Sequence, residues 1–380
     1  MRRNITTKKQ QTLKNLKKLC IFAITNNKTQ EMSKNRLFTA VIFQSLLLMP
    51  TSANSQILLK QKNISKAGIE PGNYSGITHI RDNLYIVVDD KDRNAPFAYF
   101  EINIDGKTGK VTTVKKNTLK TSTKRHFETD AEDVAYNKHT NTVFITSESE
   151  QTIKEYTLEG IPTGRELAIP LQFSKDKIQH NRGFETLSFN STDSLFWTTT
   201  ESELNKDKTP NMSNGKKLRI QTFGYDLEPL KQYAYLTDKP SSKSKGKEYA
   251  HGVPSILVLS DGRLIVLERE IKVSNYYLGS YVKHKLFIVT PKKHTDCTDI
   301  TTLNTLKQED FLSKKELCRF TTRLRLGKMN LANYEGICLG PKLDDGRQTI
   351  LLINDSQSRR GNALYRLKDY IKTIILPKDF

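Results

Sequence analysis

Residues 252–268 read Gly-Val-Pro-Ser-Ile-Leu-Val-Leu-Ser-Asp-Gly-Arg-Leu-Ile-Val-Leu-Glu, two short apolar runs joined by a polar Asp-Gly turn. This pattern is typical of a β-hairpin. The first run opens at a glycine and the second ends in an acidic residue. The start of the first strand and the end of the second lie at the same edge of an antiparallel hairpin. The glycine and the acidic residue should therefore lie close together.

The pattern occurs five times along the chain, each time with an acid at the exit of the second strand. For any single acid, the simpler explanation is that it bonds loop amides or a neighbouring base. Five acids on one rim are costly unless a cation binds there, because crowded like charges raise one another's pKa. The exits are Asp89-Asp90, Glu148, Glu201, Glu268 and Asp355, and the starts are Tyr74–Ile77, Glu132–Val134, Gly183–Thr186, Gly252–Ser255 and Tyr334–Ile337.

From about residue 70 onward the chain reads as short strands between Gly, Asn, Asp and Pro turns, with almost no helical periodicity. The insertion Thr295–Leu317 contains the only segment predicted as a short helix. Third strands are predicted at Ala98–Ile104, Thr152–Leu158, Arg219–Leu227, Lys285–Thr290 and Ala363–Leu367, and fourth strands at Val111–Lys115, Glu166–Leu171, Lys231–Leu236 and Arg319–Leu324.

Four strands per unit, repeated at roughly 50 to 80 residues, favour an all-β fold of the β-propeller type. A β-sandwich is the weaker alternative, since it does not predict a repeated hairpin with an acid in register. Five blades are counted, and a sixth, degenerate blade stays an open alternative. The segment Ile57–Lys60 is predicted to close the ring by completing the last blade.

The first 55 residues are set apart from this domain. Residues 1–31 are Lys-rich and polar, and Met32–Arg36 begins a basic segment before the apolar run Leu37–Met49. Ala53 and Ser55 then provide small residues at the −3 and −1 positions of a cleavage site. We interpret residues 1–55 as a basic extension plus secretory signal, cleaved before Gln56; a disordered basic arm is the alternative for residues 1–31. Residues 56–380 form one predicted domain, exported to the periplasm or beyond.

The 380-residue chain has a net charge of +20, and residues 56–380 retain 51 Lys/Arg against 40 Asp/Glu. No basic face with aromatic platforms accompanies this excess, so nucleic-acid binding is not predicted. No segment of residues 56–380 is long enough for a transmembrane helix, and a monomer is expected. Cys297 and Cys318 flank the insertion and are candidates for a disulfide, whereas Cys338 in an apolar strand is predicted to be a buried thiol.

First strands are innermost in a propeller, so their acids should face the channel mouth. Converging carboxylate oxygens suit Ca²⁺ or another hard divalent cation. We predict the metal ligands among Glu132, Asp133, Glu185, Glu268 and Glu335.

Three basic residues near the same strand ends are candidates for substrate chemistry. Arg182 and Arg269 offer planar donor forks that suit phosphate or carboxylate, although neutralising the acids is an equally good explanation. His251 precedes a first-strand start and is a candidate general acid or base, against the simpler structural role.

Five sequence elements appear in order along the chain: Tyr74-Ser-Gly-Ile77, Asp130-Ala-Glu-Asp-Val-Ala135, Asn181-Arg-Gly-Phe-Glu-Thr-Leu187, Pro254–Arg269 and Asn333-Tyr-Glu-Gly-Ile337. Together, over about residues 70–370, they resemble the bacterial phytase-like family, described as having esterase-like activity of phytase. The resemblance implies a secreted propeller with a phosphoesterase role. Glu132-Asp133 and Glu185-Thr186 depart from the family's usual Glu-Gly, where glycine would let a ligand approach the backbone.

Three functions are therefore considered. The first is metal-assisted phosphoester hydrolysis, with Glu335, Glu185 and His251 as catalytic residues and Arg182 and Arg269 orienting an anionic substrate. The second is a non-catalytic binding module for a carbohydrate, cell-wall fragment or protein, because propellers also bind ligands at the channel mouth without chemistry. The third is a scaffolding role at the cell envelope.

Overall fold

The computed structural model describes residues 55–119, 130–208, 214–242, 244–291, 296–361 and 365–380. Short 3₁₀ helices lie at Leu171–Phe173, Asn205–Asp207, Leu303–Thr305 and Gln308–Asp310. The strands are β1 (Ile57–Leu58), β2 (Lys62–Asn63), β3 (Tyr74–Arg81), β4 (Leu84–Asp89), β5 (Ala98–Ile104), β6 (Val111–Thr118), β7 (Ala131–Asn137), β8 (Thr142–Ser147), β9 (Thr152–Thr157), β10 (Pro162–Glu166), β11 (Ser188–Asn190), β12 (Leu195–Thr198), β13 (Lys217–Phe223), β14 (Pro229–Leu236), β15 (Glu248–Val258), β16 (Leu264–Val273), β17 (Tyr281–Val289), β18 (Lys314–Arg325), β19 (Lys328–Met329), β20 (Asn333–Lys342), β21 (Gln348–Asp355) and β22 (Tyr370–Ile375).

These strands form five antiparallel sheets. They are β3–β6 (blade 1), β7–β10 (blade 2), β11–β14 (blade 3), β15–β19 (blade 4) and β20–β22 with β1 and β2 (blade 5). The first strands β3, β7, β11, β15 and β20 contact one another in sequence and then back to β3, so they line a central channel. The fold is therefore a five-bladed β-propeller, and the described residues contain no sixth blade.

The ring is closed by the N-terminal segment. β1 pairs with β22 through Ile57↔Ile375 and Leu58↔Ile374, and β2 continues the pairing at Lys62↔Ile371. The segment that precedes blade 1 thus supplies the outer strand of blade 5, as the sequence predicted.

Apolar residues form continuous buried runs along the inner strands, so both faces of a sheet pack against neighbouring blades. Trp197 and Tyr235 of blade 3 pack against Val266 and Phe287 of blade 4 in one such cluster. Tyr74 and Phe100 of blade 1 pack with Leu351 of blade 5 in another. Since each blade covers its neighbour's face, the core is a ring of interfaces around the channel.

Two predicted strands were misplaced. The third strand of blade 5 is Tyr370–Ile375 and not Ala363–Leu367: residues 362–364 lie outside the described ranges, and Arg366 makes only an isolated bridge with Gly361. The fourth strand of blade 2 is Pro162–Glu166 and not Glu166–Leu171. Leu167 N still donates to Ile153 O of β9 at 2.9 Å, and the chain passes to blade 3 at Ala168, whose N donates to Leu227 O at 3.0 Å.

The other errors concern local features. The expectation that only the insertion contains a helical turn was wrong, since 3₁₀ turns also form at Leu171–Phe173 and Asn205–Asp207. The suggested disulfide was also wrong: Cys297 and Cys318 are free thiols, buried in different clusters. Cys338 is a buried thiol, as predicted. Within the described ranges, no helix has the length and apolar character to cross a bilayer.

Candidate active site at the channel mouth

The register of the innermost hairpins brings the predicted strand-start residues and strand-exit acids to one end of the channel. Asn333 lies opposite Asp355, Tyr74 opposite Asp89, and Gly252 opposite Arg269. The first two pairs join the start of a first strand to the exit of the second, whereas in blade 4 both strands continue four residues beyond the pair. This end of the channel, called the mouth below, is therefore where the hairpin acids collect.

Glu132 and Glu185 are the unpaired acids of the mouth. Neither carboxylate has a hydrogen bond or ion pair within the described part of the chain. Burial, followed by repulsion from Glu185 and Glu335, raises the pKa of Glu132 well above its ordinary value. The pKa of Glu185 is likewise raised by burial, then by Glu201 and Glu148. Two carboxylates that lack partners in such surroundings would gain from a bound cation.

Arg269 of blade 4 connects acids of the two neighbouring blades. From β16 it donates through Nη2 to Glu201 of blade 3 and through Nη1 to Glu335 of blade 5. Nη1 also donates to Asn333 Oδ1 at 3.1 Å. The side chain is only 5% exposed, and its Nε finds no partner among the described residues. A water molecule or a ligand oxygen would satisfy this buried donor.

Glu201 is the acid of the mouth whose charge is neutralised by two arginines. Its carboxylate is fully buried and accepts from both Arg269 and Arg182. Burial alone would raise its pKa, but Arg269, Arg182 and Lys216 outweigh that effect and lower it to about 2. Arg182 is about one-third exposed, so of the two arginines it is the one that a ligand can reach.

A second group of acids lies beside Glu132. Oxygens of Asp90, Asp130 and Glu132 lie within 4.8 Å of one another. The exposed Lys91 donates its Nζ to Asp90 at 2.8 Å and to Asp130 at 3.0 Å. The other oxygen of Asp90, Oδ1, is buried and has no partner among the described residues. An ammonium group and an orphaned carboxylate oxygen thus mark a position suited to a cation.

Two predicted metal ligands lie away from the acids of the mouth. Glu268 points between blades 3 and 4, where it accepts from Tyr235 Oη at 2.7 Å and from Lys314 Nζ at 2.5 Å. Asp133 lies among the innermost strands, with Oδ2 accepting from Leu187 N at 2.9 Å and from Ser255 Oγ at 3.0 Å. Both carboxylates bind the protein itself, which leaves Glu132, Glu185 and Glu335 at the mouth.

His251 is buried near the blade 3 side of the mouth. Burial, then the charge of Lys216, lowers its pKa to about 4, so the ring is neutral at pH 7. Lys216 itself was not predicted as a site residue: its Nζ donates to Ser202 Oγ at 2.6 Å, and burial lowers its pKa. The preceding Gly215 and the lysine-rich loop gave no chemical pattern from which to predict this position.

Close strand packing explains the glycine of the Glu335-Gly336 pair. A Cβ at Gly336 would come within 2.9 Å of Ser75 O and 3.0 Å of Gly76 Cα on the neighbouring first strand. The glycine therefore allows two innermost strands to approach, which is a different role from the predicted access for a ligand. At the equivalent position in blade 3, Thr186 Oγ1 accepts from Thr199 N at 2.9 Å.

A five-bladed propeller with partly neutralised acids at its channel mouth defines the class of this protein. The family model for Phytase-like proteins, described as esterase-like activity of phytase, matches residues 69–357. The chain therefore belongs to the Phytase-like family. No match was found among curated proteins.

Solved propellers of several kinds are similar to the chain. An endo-arabinase from Bacteroides thetaiotaomicron is 12% identical, with a TM-score of 0.40, over 84% of this chain and 97% of that one. A luciferin-regenerating enzyme is 10% identical, with a TM-score of 0.37, over 83% and 97%. A streptogramin B lyase is 15% identical, with a TM-score of 0.34, over 84% and 98%. At these values they carry no argument about function.

Proposed function

We propose that the protein is an exported hydrolase of small phosphoesters, assisted by a hard divalent cation at the mouth. The observation that carries the proposal is the group Asp90, Asp130 and Glu132, where three carboxylates converge and Asp90 Oδ1 is orphaned. Family membership supports the same reaction class. The N-terminal pattern of residues 32–55 supports export, and mass spectrometry of the exported protein should find a mature N-terminus at Gln56.

The residues present fit such a cation. All three groups offer hard oxygen donors, the type that Ca²⁺ accepts with loose geometry. Asp90, Asp130 and Glu132 would hold the ion after Lys91, whose side chain is 60% exposed, swings away. A cation held there would supply Lewis acidity toward a phosphoryl group.

The chain's own residues would bind and orient the substrate. Arg182 is placed to share its donors between Glu201 and a phosphate oxygen, because it is the more exposed arginine. Glu185, whose carboxylate has no partner among the described residues, is the group available to accept a proton, and burial raises its pKa and so its basicity. Arg269 holds Glu201 and Glu335 in position and is too enclosed to grip a substrate by itself.

Calcium should stabilise the folded protein. Residues 56–380 should melt about 5 °C higher at a hundred-fold excess of calcium over its Kd, because the ion binds only the native state. The shift should be larger at pH 8 than at pH 6, since the raised pKa of Glu132 makes protons compete with the cation. Differential scanning fluorimetry with calcium, magnesium and chelator measures this. Equal melting temperatures throughout would contradict cation binding.

Turnover should depend on Glu335 and Arg182 in different ways. With calcium, residues 56–380 should release phosphate from a panel of phosphomonoesters, phosphodiesters and phytate. Glu335→Gln should lower kcat by about a hundred-fold, because it removes one carboxylate from the acids of the mouth. Arg182→Ala should mainly raise KM, because Arg182 binds the anionic substrate. Asp345→Asn, in the exposed β20–β21 turn, is the control and should match wild type.

A non-catalytic binding module is the second candidate. It is favoured by the pairing of Arg182 and Arg269 with Glu201, since a salt-bridge network already neutralises part of the mouth. In that case the panel would show no turnover, while a glycan or peptide would still bind to wild type and lose affinity with Arg182→Ala.

A further inference from the structure

Blade 4 carries two adjacent loops with exposed apolar side chains. Segments 272–281 and 322–330, together called the blade 4 tip, are joined by hydrogen bonds from Gly279 N to Leu324 O at 2.9 Å and from Leu324 N to Ser280 O at 3.0 Å. Within the tip, Tyr276 is 90% exposed, Leu278 50% and Leu326 86%. Single exposed apolar residues are common, but three on neighbouring loops form a patch that calls for a partner.

The tip projects beyond the mouth. β15 and β16 remain paired as far as Glu248↔Val273, four residues past the Gly252↔Arg269 pair of the mouth. At the rise of a β-strand, four residues extend about 13 Å. The tip therefore stands above the end of the channel where the acids collect, and whatever it contacts would lie on the same side as the mouth.

The charge of the tip is positive. Segments 272–281 and 322–330 contain four Lys/Arg and no Asp/Glu. The described residues of the neighbouring loop, 238–242 and 244–248, add three lysines against two acids. Lys247 lies with its Nζ 4.3 Å from the centre of the Tyr277 ring, and Arg325 is exposed. The apolar patch is thus surrounded by cations, in contrast to the acidic mouth.

We propose that the blade 4 tip docks on an anionic phospholipid bilayer. Exposed Leu and Tyr side chains at a loop tip insert into the boundary between headgroups and acyl chains, while Lys and Arg bind the anionic headgroups. A soluble polyanion would use the cations but leave Tyr276, Leu278 and Leu326 in water, so the apolar patch favours the bilayer. Docking would turn the mouth toward the membrane surface and is independent of the reaction performed there.

The test uses residues 56–380 with Tyr276→Trp as a reporter, because the chain's own tryptophan, Trp197, is buried. Vesicles of equimolar phosphatidylglycerol and phosphatidylcholine should bind the protein in flotation, shift the emission of the introduced indole to the blue and allow its quenching by brominated acyl chains. The protein should bind vesicles of pure phosphatidylcholine at least about ten-fold more weakly. Arg325→Glu should weaken binding to the anionic vesicles about five-fold or more per charge changed.

The apolar contribution is isolated by a matched pair of variants. Tyr276→Ser/Leu278→Ser/Leu326→Ser should lower vesicle binding at least about ten-fold. Leu171→Ser removes an equally exposed leucine (80% exposed) outside the tip and should bind as wild type. The proposal is overturned if the vesicles do not bind, if the triple variant binds like wild type, or if binding leaves the emission spectrum of the Tyr276→Trp reporter unchanged. The last result would indicate a purely electrostatic contact, as with a soluble polyanion.

Discussion

Replacing Arg269 by methionine is expected to lower the free energy of unfolding by about 3–5 kcal/mol at neutral pH. Arg269 is the shared cation of Glu201 and Glu335, and its side chain is 5% exposed. Its removal leaves two enclosed carboxylates with too few partners, and such uncompensated charges cost far more than the loss of a surface pair. Arg269→Lys should lose less, because an ammonium keeps the charge but cannot reach two carboxylates as a planar fork does.

The loss of stability should depend on pH. In the native protein the pKa of Glu201, about 2, lies below its ordinary value of 4.5. Its ionisation therefore stabilises the fold above pH 4.5, and this contribution is lost as the pH falls toward 2. Without Arg269, the largest of the charges that lower the pKa of Glu201 is lost, so this pKa rises although Arg182 and Lys216 remain, and the pKa of Glu335, already raised by burial, rises further. The penalty should then be full above those raised pKa values and fade as the pH falls through them.

Urea unfolding of wild type and variant between pH 4 and pH 8 measures the effect. The control is Arg319→Met, which breaks an exposed pair with Glu316 and should leave the stability unchanged within error. If Arg269→Met costs no more than this control, or if its penalty does not change with pH, the acids of the mouth do not depend on Arg269.

The fold could be predicted from the sequence because its signal is local and repeated. Residues 252–268 specify a hairpin by turn chemistry and apolar runs, and five copies specify a ring. Closure by Ile57–Leu58 follows from a blade that lacks an outer strand. The misplaced strand at Ala363–Leu367 shows the limit: Asp369, directly before β22, accepts from Ser356 and Arg359, and such contacts leave no pattern in sequence.

The site was harder to predict because neighbouring residues of a strand face opposite sides. Glu268 and Arg269 are adjacent, yet Glu268 turns to Lys314 between blades and Arg269 turns to Glu201 and Glu335. An acidic residue in the sequence indicates where the strand ends, but it does not indicate to which side of the sheet each side chain points. Lys91 and Lys216 lie in loops between strands, and their contacts depend on how separate blades meet.

Replacing Arg219 by methionine is expected to lower the free energy of unfolding by about 3–5 kcal/mol, independently of the mouth. Arg219 and Asp207 form an ion pair with both side chains fully buried, with Nε 2.7 Å from Oδ2. Arg219 also donates Nη2 to Ile300 O at 2.8 Å, and Asp207 accepts from Leu303 N at 2.7 Å. The pair thus fastens the insertion after blade 4's third strand to blade 3.

A double-mutant cycle separates the loss of this pair from simple truncation. In Arg219→Met, Asp207 is left as a buried charge with its main partner gone, so adding Asp207→Asn should restore part of the lost stability. The double variant should therefore be more stable than Arg219→Met alone. Additive losses would mean that the two side chains do not depend on each other.

Release of the insertion should also expose the thiol of Cys297, which gives a local readout. Cys297 is free and 4% exposed, and its carbonyl accepts from Arg219 Nη1 at 3.3 Å. Burial raises the pKa of this thiol to about 11, which keeps it unreactive in the native state. In Arg219→Met it should react with a thiol reagent under native conditions, while Cys338, in β20 of the innermost ring, stays protected. Equal protection of Cys297 in wild type and variant would show that the insertion is held to blade 3 by its apolar contacts, with Leu303 and Phe311 packed against Ala234.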